Sequence, residues 1–324
     1  MKKNIAIVMG GFSSEVNISL TSGNVVYKHL NKEKYNPFRV HILKDKWVAL
    51  DDDANEYVID KNDFSFTFKN AKINFDCVFN AIHGNPGENG ELLAYFNLIG
   101  LKHTSAPYYQ MALTFNKRDT LSVVKKYGIK TAISTYLNKG DVIDVDKIIE
   151  QVSLPCFVKP NNAGSSYGIS KVHTKQEMLP AIENAYKEDS EILIESFLDG
   201  TEVSVGVIEY QNEIKVLPIT EIVSENDFFD YEAKYEGKSQ EITPARISEE
   251  EKNRVELVAK KVYKVLNMSG FSRSEYIFVD GEPYFLEMNT VPGLTEESIL
   301  PQQAKVAGIT LSQLFENAIE SALK

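Results

Sequence analysis

Residues 5–16, IAIVMGGFSSEV, decide the first unit of the fold. Ile5–Met9 is a continuous apolar run, which is typical of a parallel strand that is buried on both faces. Gly10–Gly11 allows a sharp turn after this run, and the hydroxyl of Ser13 or Ser14 is suited to cap a following helix. The segment therefore predicts a strand, a glycine turn and a helix.

The helix after this turn is predicted to bury one face of apolar and small residues. That face consists of Val16, Leu20, Gly23, Tyr27 and Leu30. Further strands near Phe38–Leu43 and Asp76–Ile82 continue the alternation of strand and helix. The pattern predicts an N-terminal doubly wound α/β domain over residues 1–116, with its site at the carboxyl ends of the strands.

From about Lys117 the character of the sequence changes. A helix near Lys117–Tyr127 leads to strand-like segments such as Cys156–Lys159. The last third contains long strand pairs and a helix near Ser248–Leu266. We predict two α+β units here, at residues 117–200 and 201–324.

The composition is that of an ordinary globular protein, with 43% hydrophobic and 25% charged residues in a chain of 324. A formal net charge of -11 argues against nucleic acid as a partner, because the surface would repel a phosphate backbone. No apolar run approaches the roughly 20 residues of a membrane-spanning helix, and Ile5–Met9 fits a strand better than a signal peptide. Cys77 and Cys156 lie in apolar stretches, so we expect buried reduced thiols in a cytoplasmic protein without membrane contacts.

A lysine ends the strand-like segment Cys156–Lys159, and a loop rich in glycine and serine follows at residues 161–168. The N–H groups and hydroxyls of the loop could surround phosphate oxygens while the Lys159 ammonium supplies charge. The segment is not a Walker A loop, because the Gly-Lys-Ser/Thr ending is missing. Taken alone, such a loop is more often a hairpin turn than a phosphate site.

Strand-like segments flank Asp280-Gly281, which is a strong hairpin signal. If the turn has three residues, Glu275 lies opposite Glu287, and Asn289 shares the face of Glu287 because side chains alternate along a strand. Opposed carboxylates repel each other, and a hard cation such as Mg²⁺ would resolve the repulsion by binding their oxygens. A solvated outer face with loosely spaced acids is the simpler alternative.

Two further segments could contribute to a site. Aromatic residues crowd around charges in residues 228–235, FFDYEAKY, which fits a flap that closes on a ligand, although aromatic clusters more often pack a core. His83 opens the segment at residues 83–90, HGNPGENG, whose three glycines permit close approach of a substrate. A lone histidine at such a place is more often structural than catalytic.

Taken together, these segments resemble the D-alanine–D-alanine ligase family, which belongs to the ATP-grasp superfamily. The resemblance covers essentially the whole chain, with six motifs in the order that the family shows. The motifs are residues 10–15 (GGFSSE), His83-Gly84 with Gly87-Glu88, residues 158–160 (VKP) with 164–166 (GSS), Ile194-Glu195 with Gly200 and Glu202, residues 230–235 (DYEAKY), and residues 286–290 (LEMNT) with Pro292-Gly293 and Ser298. The resemblance implies an ATP-grasp fold, in which two α+β subdomains hold a nucleotide behind an α/β N-terminal domain.

The resemblance also implies a nucleotide site. Lys117 and Lys159 are similar to the family lysines that bind the ATP phosphates, and Lys234 is similar to the flap lysine that neutralises the γ-phosphate. Glu202 is similar to the ribose ligand. The hinge whose backbone binds adenine is matched by Glu195, Ser196, Phe197 and Leu198.

Glu275, Glu287 and Asn289 match the family's ligands of Mg²⁺, for which Mn²⁺ is an alternative ion. Position 275 is Glu where the family usually has Asp, which adds one methylene to a metal ligand. Asn89 stands where Asp is usual, and Tyr167 replaces a small aliphatic residue in the phosphate loop. None of these departures removes a group that the chemistry requires.

The substrate sites follow from the same resemblance. Glu15 is similar to the carboxylate that holds the first substrate's ammonium, with Ser165 and Tyr235 as hydrogen-bond partners and His83 as a further substrate residue. Asn17 stands where a Glu is usual, which leaves Glu15 as the main ammonium partner.

For the second substrate, Ser298 and Ile299 are similar to the residues that bind its carboxylate. Arg273 and the backbone N–H of Gly293 resemble the groups that stabilise an oxyanion, a role that fits acyl transfer.

The implied reaction is the ATP-dependent joining of two D-alanines to D-alanyl-D-alanine, through an acyl phosphate, for peptidoglycan precursor synthesis. A cytoplasmic homodimer follows from the same resemblance. One alternative is a related ATP-grasp enzyme, either a depsipeptide-forming ligase with D-lactate as second substrate or another carboxylate–amine ligase, although Tyr235 beside Lys234 argues against lactate. Strictness for D-alanine, D-serine or D-lactate as second substrate stays open. Another is a non-catalytic nucleotide-binding protein, against which the cationic, metal and oxyanion residues argue.

Overall fold

The computed structural model describes residues 2–162, 164, 167–224 and 239–324. Three larger sheets follow one another along the chain, with helices between their strands. The prediction of mixed α/β and α+β architecture is confirmed. The domain boundaries at residues 116 and 200 stay predictions.

The first sheet has parallel strands in its middle and antiparallel strands at one edge. The elements of this part of the chain are β1 (Lys3–Gly10), α1 (Val16–His29), β2 (Tyr35–Ile42), β3 (Trp47–Leu50), β4 (Glu56–Val58), β5 (Phe66–Phe68), β6 (Ala71–Ile73), β7 (Cys77–Asn80), α2 (Glu91–Leu98), β8 (Lys102–His103), α3 (Tyr108–Phe115) and α4 (Lys117–Lys126). Strands β5 and β6 pair with each other, in a separate two-stranded sheet. The strand order of the first sheet is β4-β3-β2-β1-β7-β8, and β1 pairs in parallel with both β2 and β7. The carboxyl end of β1 therefore lies inside the sheet, where doubly wound folds bind their ligands.

The predicted inward face of α1 is confirmed in part, because Gly23 and Leu30 are buried and Leu20 and Tyr27 pack half-buried against the core, but the prediction wrongly omitted two serines. Ser19, Ser22 and Val26 are the buried residues at helical spacing, with Gly23 beside them. The two serines can face inward because their hydroxyls find hydrogen-bond partners there. The predicted serine cap is also wrong, since Glu15 occupies the N-cap position and makes no side-chain cap hydrogen bond.

The middle of the chain forms a four-stranded antiparallel sheet in the order β11-β10-β12-β9. Its elements are β9 (Ser134–Asn138), α5 (Val145–Val152), β10 (Cys156–Pro160), β11 (Ser170–Val172), α6 (Met178–Ala185) and β12 (Glu191–Ser196). A separate core of Val158, Ile192, Ile194 and residues of α5 and α6 stabilises this sheet. The sheet presents Lys159 and Glu195 on neighbouring strands.

The last sheet is antiparallel. Its elements are β13 (Thr201–Tyr210), β14 (Glu213–Val216), β15 (Thr220–Ser224), β16 (Ser239–Ile242), α7 (Glu249–Val265), β17 (Phe271–Val279) and β18 (Glu282–Asn289). The order is β16-β15-β13-β17-β18, with β14 paired to β13. The strongly predicted helix at Ser248–Leu266 is α7, which begins at a capping box formed by Ser248 and Glu251.

The hairpin of β17 and β18 confirms that Glu275 lies opposite Glu287, by a route that differs from the predicted one. Val279 pairs with Glu282, so the turn has two residues, Asp280-Gly281, rather than three. A bulge between Glu275 and Tyr276 supplies the extra residue on the facing strand instead.

The chain ends with two helices, α8 (Ile299–Val306) and α9 (Leu311–Leu323). Helix α9 packs against α1, β7 and β8, so the C-terminus returns to the first sheet. Phe79 and Phe315 meet edge to face in the resulting core. This packing brings the loop before α8 close to the carboxyl end of β1.

Cys77 and Cys156 are both free and buried, as predicted. Among the residues that the structure describes, no helix combines the length and the apolar character needed to cross a membrane.

Candidate active site

A cleft of about 300 Å³ opens where the first sheet, the hairpin of β17 and β18, and the loop before α8 meet. Many of the predicted site residues line it. They are Glu15, His83, Lys117, Arg273, Glu287, Asn289, Gly293, Ser298 and Ile299. Residues from four regions of the sequence, near positions 15, 83 and 117 and within 273–299, therefore converge on one cavity.

The predicted metal ligands lie at one end of this cleft. Glu275 is buried, and its Oε1 has no hydrogen-bond partner among the described residues, although Nη2 of Arg273 lies 3.2 Å away. Glu287 faces Glu275 across the hairpin, and Asn289 follows on the face of Glu287. An orphaned buried carboxylate oxygen with further carboxylate and amide oxygens close by is a donor set that fits Mg²⁺.

Two lysines reach toward the same end of the cleft. Nζ of Lys117 lies 3.2 Å from Oε2 of Glu287, and Nζ of Lys159 donates to Oε2 of Glu195 at 2.9 Å. Burial by itself would lower the pKa of Lys159, but Glu195, Glu287 and Glu202 together raise it. The Lys159 ammonium therefore stays charged, and both lysines lie close to glutamate carboxylates.

The predicted adenine hinge begins in β12. The N–H of Ser196 donates to the carbonyl of Ile133, and the N–H of Phe197 donates to the carbonyl of Pro155. These two N–H groups already have partners, so a base bound here would have to use other backbone groups of residues 195–198. The ring of Phe197 also packs beside that of Phe157, which gives this edge an aromatic surface.

Glu15 lies between two glycine-containing loops. A side chain at Gly164 would have its Cβ 2.8 Å from Oε2 of Glu15, so the Glu15 carboxylate lies directly against this glycine and would have to shift to admit a larger residue. Glu15 and Gly164 also line a second cleft of about 450 Å³, together with Asn89 and Tyr167. Two of the positions that depart from the family pattern therefore lie at this neighbouring cleft, outside the first cavity.

The loop before α8 forms the other end of the first cleft. Oγ of Ser298 lies 2.7 Å from Oγ1 of Thr295, so the two hydroxyls hold each other in place. A Cβ at Gly293 would lie 2.7 Å from the Ser298 hydroxyl, which explains why glycine stands there. Ser298 is the N-cap of α8 and Ile299 its first residue, so the positive end of the helix dipole faces the cleft.

His83 and Glu88 lie between the two ends of the cleft. His83 is buried and Glu88 is half-buried. Burial lowers the pKa of His83, although Glu15 and a hydrogen bond to the Val291 backbone oppose the change. Burial raises the pKa of Glu88 to about 7, and the charge of Glu15 adds to this effect. Glu88 accepts from the N–H of Gly84 and more weakly from that of Thr290.

Some predicted residues do not line this cleft, and some are not described. Glu275 lies beneath the surface of the cavity, while Lys159, Glu202 and residues 195–198 lie toward the middle sheet. The predicted flap at residues 228–235 lies outside the described residues, as do Ser165, Lys234 and Tyr235.

The sequence prediction gave no role to Glu88, Thr295, Glu241 or Ser22. Glu88 belongs to the segment at residues 83–90, and Thr295 lies between the predicted residues Gly293 and Ser298. Their place within these motifs could have indicated that they line the site. For Glu241 and Ser22 the sequence offers no such signal, because one lies in a short strand and the other on a helix face that was predicted to point elsewhere.

Comparison with known proteins agrees with this geometry. The family model described as D-ala D-ala ligase N-terminus matches residues 4–106, and the one described as D-ala D-ala ligase C-terminus matches residues 123–320. The chain belongs to the D-alanine–D-alanine ligase family. It is 70% identical over 321 residues to a protein of Flavobacterium johnsoniae named D-alanine--D-alanine ligase, with 99% of each chain covered.

Another member of the D-alanine–D-alanine ligase family, from Christiangramia forsetii, is 58% identical over 323 residues and carries the same name. Coverage there is 100% of this chain and 99% of the relative. Family membership confirms that this chain is of the ATP-dependent ligase type.

Solved structures of the family share its fold. D-alanyl-alanine synthetase A from Vibrio cholerae superposes with a TM-score of 0.89 at 26% identity, covering 99% and 98% of the two chains. The VanG D-Ala:D-Ser ligase from Enterococcus faecalis has a TM-score of 0.86 at 30% identity, covering 99% of each. A family structure from Bacillus anthracis, at 27% identity with a TM-score of 0.79, is described as complexed with ATP. The predicted ATP-grasp fold is thereby confirmed.

Proposed function

We propose that this protein joins two D-alanine molecules to D-alanyl-D-alanine, with ATP converted to ADP and phosphate, as a step in peptidoglycan precursor synthesis. The observation that carries the proposal is the convergence of a carboxylate (Glu15), an arginine (Arg273) and an acidic hairpin face on one cleft. These are the groups that a carboxylate–amine ligase needs in order to hold an ammonium, an oxyanion and a phosphate-bound metal ion.

The first step activates a carboxylate. One carboxylate oxygen of the first D-alanine attacks the γ-phosphorus of ATP, the bond to the β-phosphate oxygen breaks, and ADP leaves. Lys117 and Lys159 bind the phosphates and offset their charge, as phosphoryl transfer requires. Glu15 holds the substrate ammonium, and His83 lies beside it.

The metal would be held by Glu275, Glu287 and Asn289. Mg²⁺ bound there, or Mn²⁺ in its place, would neutralise charge on the transferring phosphoryl group. The cations of Lys117 and Arg273 lie against Glu287 and Glu275. These ion pairs reduce the repulsion between the carboxylates of Glu275 and Glu287.

The second step forms the peptide bond. The amine of the second D-alanine attacks the acyl carbon, and the tetrahedral intermediate expels phosphate while the amine loses a proton. Arg273 and the N–H of Gly293 stabilise the oxyanion, each such donor contributing roughly 2.7–4 kcal/mol in other acyl-transfer sites. Ser298 and the first N–H groups of α8 bind the carboxylate of the second substrate.

The nucleotide would lie against the middle sheet. We propose that residues 195–198 contact adenine, which is supported by the aromatic surface of Phe197 and Phe157, and that Glu202 binds the ribose. From the family resemblance we further propose that Ser165, Lys234 and Tyr235 complete the site from segments outside the described residues, and that the protein is a cytoplasmic homodimer.

The test is product formation with a panel of second substrates. Purified protein with ATP, Mg²⁺ and D-alanine should release one phosphate per dipeptide, whereas L-alanine should give neither product. The same assay with D-alanine plus D-serine or D-lactate decides the alternatives. A preference for D-serine, as the name of the Enterococcus protein would suggest, or turnover with L-alanine alone, would contradict the proposal.

A further inference from the structure

A buried hydrogen-bond network ties helix α1 to the turn that carries Gly293. The N–H of Leu294 donates to Oγ of Ser22 at 3.3 Å, and the same oxygen lies 3.1 Å from Nε2 of His83. Ser22 is fully buried and lies on the face of α1 that packs inward. The N-terminal domain therefore contacts the far end of the cleft directly, through a side chain that lines no part of it.

The directions of these hydrogen bonds follow from the chemistry of the groups. A backbone N–H can only donate, so Oγ of Ser22 accepts from Leu294 and has its own proton left for Nε2 of His83. Burial keeps His83 neutral, and the contact of the ring with the Val291 backbone raises the pKa of His83, which identifies the ring as the donor there. A neutral ring that accepts at Nε2 and donates at its other nitrogen satisfies both contacts at once.

A third residue holds the start of the same turn. Oε1 of Glu88 accepts from the N–H of Thr290 at 3.4 Å, while its Oε2 accepts from the N–H of Gly84 at 3.0 Å. Ser22, His83 and Glu88 thus fix residues 290, 291 and 294, on both sides of Gly293. We call these three side chains the turn clamp.

We infer that Ser22 is a positioning residue, which acts with the rest of the turn clamp to hold the Gly293 N–H in place for the second step of the reaction. The inference rests on the proposed ligase function, because the turn matters in this way only if an oxyanion forms beside it. Ser22 itself touches no substrate, so its effect passes through Leu294 and His83. Because the clamp residues lie on α1 and in the loop after β7, they also tie the oxyanion site to the part of the chain that carries Glu15.

Ser19 provides a matched control on the same helix. It lies one turn before Ser22, is fully buried, and its hydroxyl also bridges two backbone groups. It accepts from the N–H of Gly10 at 2.8 Å and donates to the carbonyl of Ala81 at 2.8 Å. Both partners lie within the first sheet and its loops, so Ser19→Ala loses comparable hydrogen bonds without releasing the turn at residues 290–294.

The experiment compares Ser22→Ala with Ser19→Ala in steady-state dipeptide synthesis, with thermal unfolding recorded for both. We expect Ser22→Ala to lower kcat about tenfold with little change in KM for ATP, since a buried N–H and a ring nitrogen lose their partner. Ser19→Ala should lower the unfolding temperature to a similar extent while kcat stays within about twofold. Ser22→Cys keeps the side-chain volume with weaker hydrogen bonds, and it should lie between Ser22→Ala and the wild type.

A double-mutant cycle supplies a readout that a merely structural role would not move. Glu88→Gln replaces one acceptor oxygen of the clamp, so its effect on kcat should be less than multiplicative with that of Ser22→Ala and multiplicative with that of Ser19→Ala. Equal kcat for Ser22→Ala and Ser19→Ala would overturn the clamp, as would multiplicative effects in both cycles. A wild-type protein that makes no dipeptide would instead overturn the proposed function, so the two failures are distinguishable.

Discussion

The two ends of the cleft are built by different means. At the nucleotide end, charged side chains on neighbouring strands and on α4 pair with one another, as in Lys117–Glu287 and Lys159–Glu195. At the oxyanion end, a turn is held by hydrogen bonds that its backbone N–H groups donate to Ser22 and Glu88, and by Thr295 against Ser298. The nucleotide end is therefore organised by ion pairs, and the oxyanion end by hydrogen bonds that fix the position of a turn.

The difference follows from what each end has to do. A triphosphate and its metal bring charge with them, so cations and carboxylates that neutralise each other beforehand can exchange partners when the ligand binds. An oxyanion exists only for a moment, so the donors that stabilise it must already be in place. Activity should therefore depend on ions at the nucleotide end. At the oxyanion end it should depend on small displacements of the hydrogen-bond donors.

Removal of the divalent metal should have the largest effect at the nucleotide end. With excess chelator, dipeptide synthesis should fall below detection, because Lys117 and Lys159 alone cannot offset the charge of the transferring group. Addition of Mg²⁺ or Mn²⁺ in excess should restore it. Unchanged dipeptide synthesis in excess chelator would show that the reaction needs no divalent metal.

Arg273→Ala should produce the next largest effect. Loss of one oxyanion donor costs roughly 10²–10³-fold in kcat in comparable sites, and Glu275 would also lose its cation. Arg246→Ala is the control, because Arg246 also pairs with a glutamate but its side chain is 62% exposed, against 13% for Arg273. A similar fall in kcat for both variants would mean that the effect is not specific to the cleft.

Lys117→Met tests the nucleotide end with a smaller expected change. Loss of a charge-assisted contact of about 1.5–3 kcal/mol should raise KM for ATP roughly 10- to 150-fold, with a lesser effect on KM for D-alanine. Lys130→Met is the matched control, since Lys130 pairs with Glu282 at a side-chain exposure of 52%, against 12% for Lys117. If KM for ATP were unchanged in Lys117→Met, Lys117 would not be a phosphate ligand.

The pH dependence of the free energy of unfolding tests Glu88, in the middle of the cleft. We expect it to show the smallest of these effects. The pKa of Glu88 is raised to about 7 from an ordinary value of 4.5. The folded state therefore holds the proton more tightly, and this contribution to stability is present below about pH 4.5 and is lost as the pH rises through about 7. Glu88→Gln cannot ionise and should lack this loss.

Urea unfolding at pH 5 and pH 8 measures the effect. Between these two values the wild type should lose roughly 1–2 kcal/mol more than Glu88→Gln, after allowance for solvent screening of this partly exposed group. A constant difference between the two proteins across this range would show that burial does not raise the pKa of Glu88.

The sequence predicted the nucleotide end better than the oxyanion end, for physical reasons. Alternation along a strand and the hairpin signal at Asp280-Gly281 are local, so the opposition of Glu275 and Glu287 could be predicted once a three-residue turn was assumed. The bulge beside Glu275 could not be predicted. One extra residue places Glu275 opposite Glu287 whether that residue lies in the turn or in the facing strand, so the pattern does not distinguish the two cases. The pairing of Lys159 with Glu195 depends on the antiparallel order of β10 and β12, which no local pattern contains.

The inward face of α1 shows why the side chains that hold the turn at the oxyanion end were missed, although Arg273, Gly293, Ser298 and Ile299 were predicted. Hydrophobic periodicity favoured Leu20 and Tyr27, whereas the structure buries Ser19 and Ser22. A buried serine is stable only when distant groups satisfy its hydroxyl, here the backbone of Leu294 and the ring of His83. Those partners are more than sixty residues away, so the tertiary fold has to be known before the helix face can be assigned.

The central claim is that a carboxylate oxygen of the first D-alanine becomes bonded to phosphorus. D-alanine labelled with ¹⁸O in its carboxylate, incubated with the protein, ATP and Mg²⁺, tests this directly by mass spectrometry of the released phosphate. An acyl-phosphate route predicts one ¹⁸O atom in each phosphate that accompanies a dipeptide. Dipeptide formed with unlabelled phosphate would contradict it.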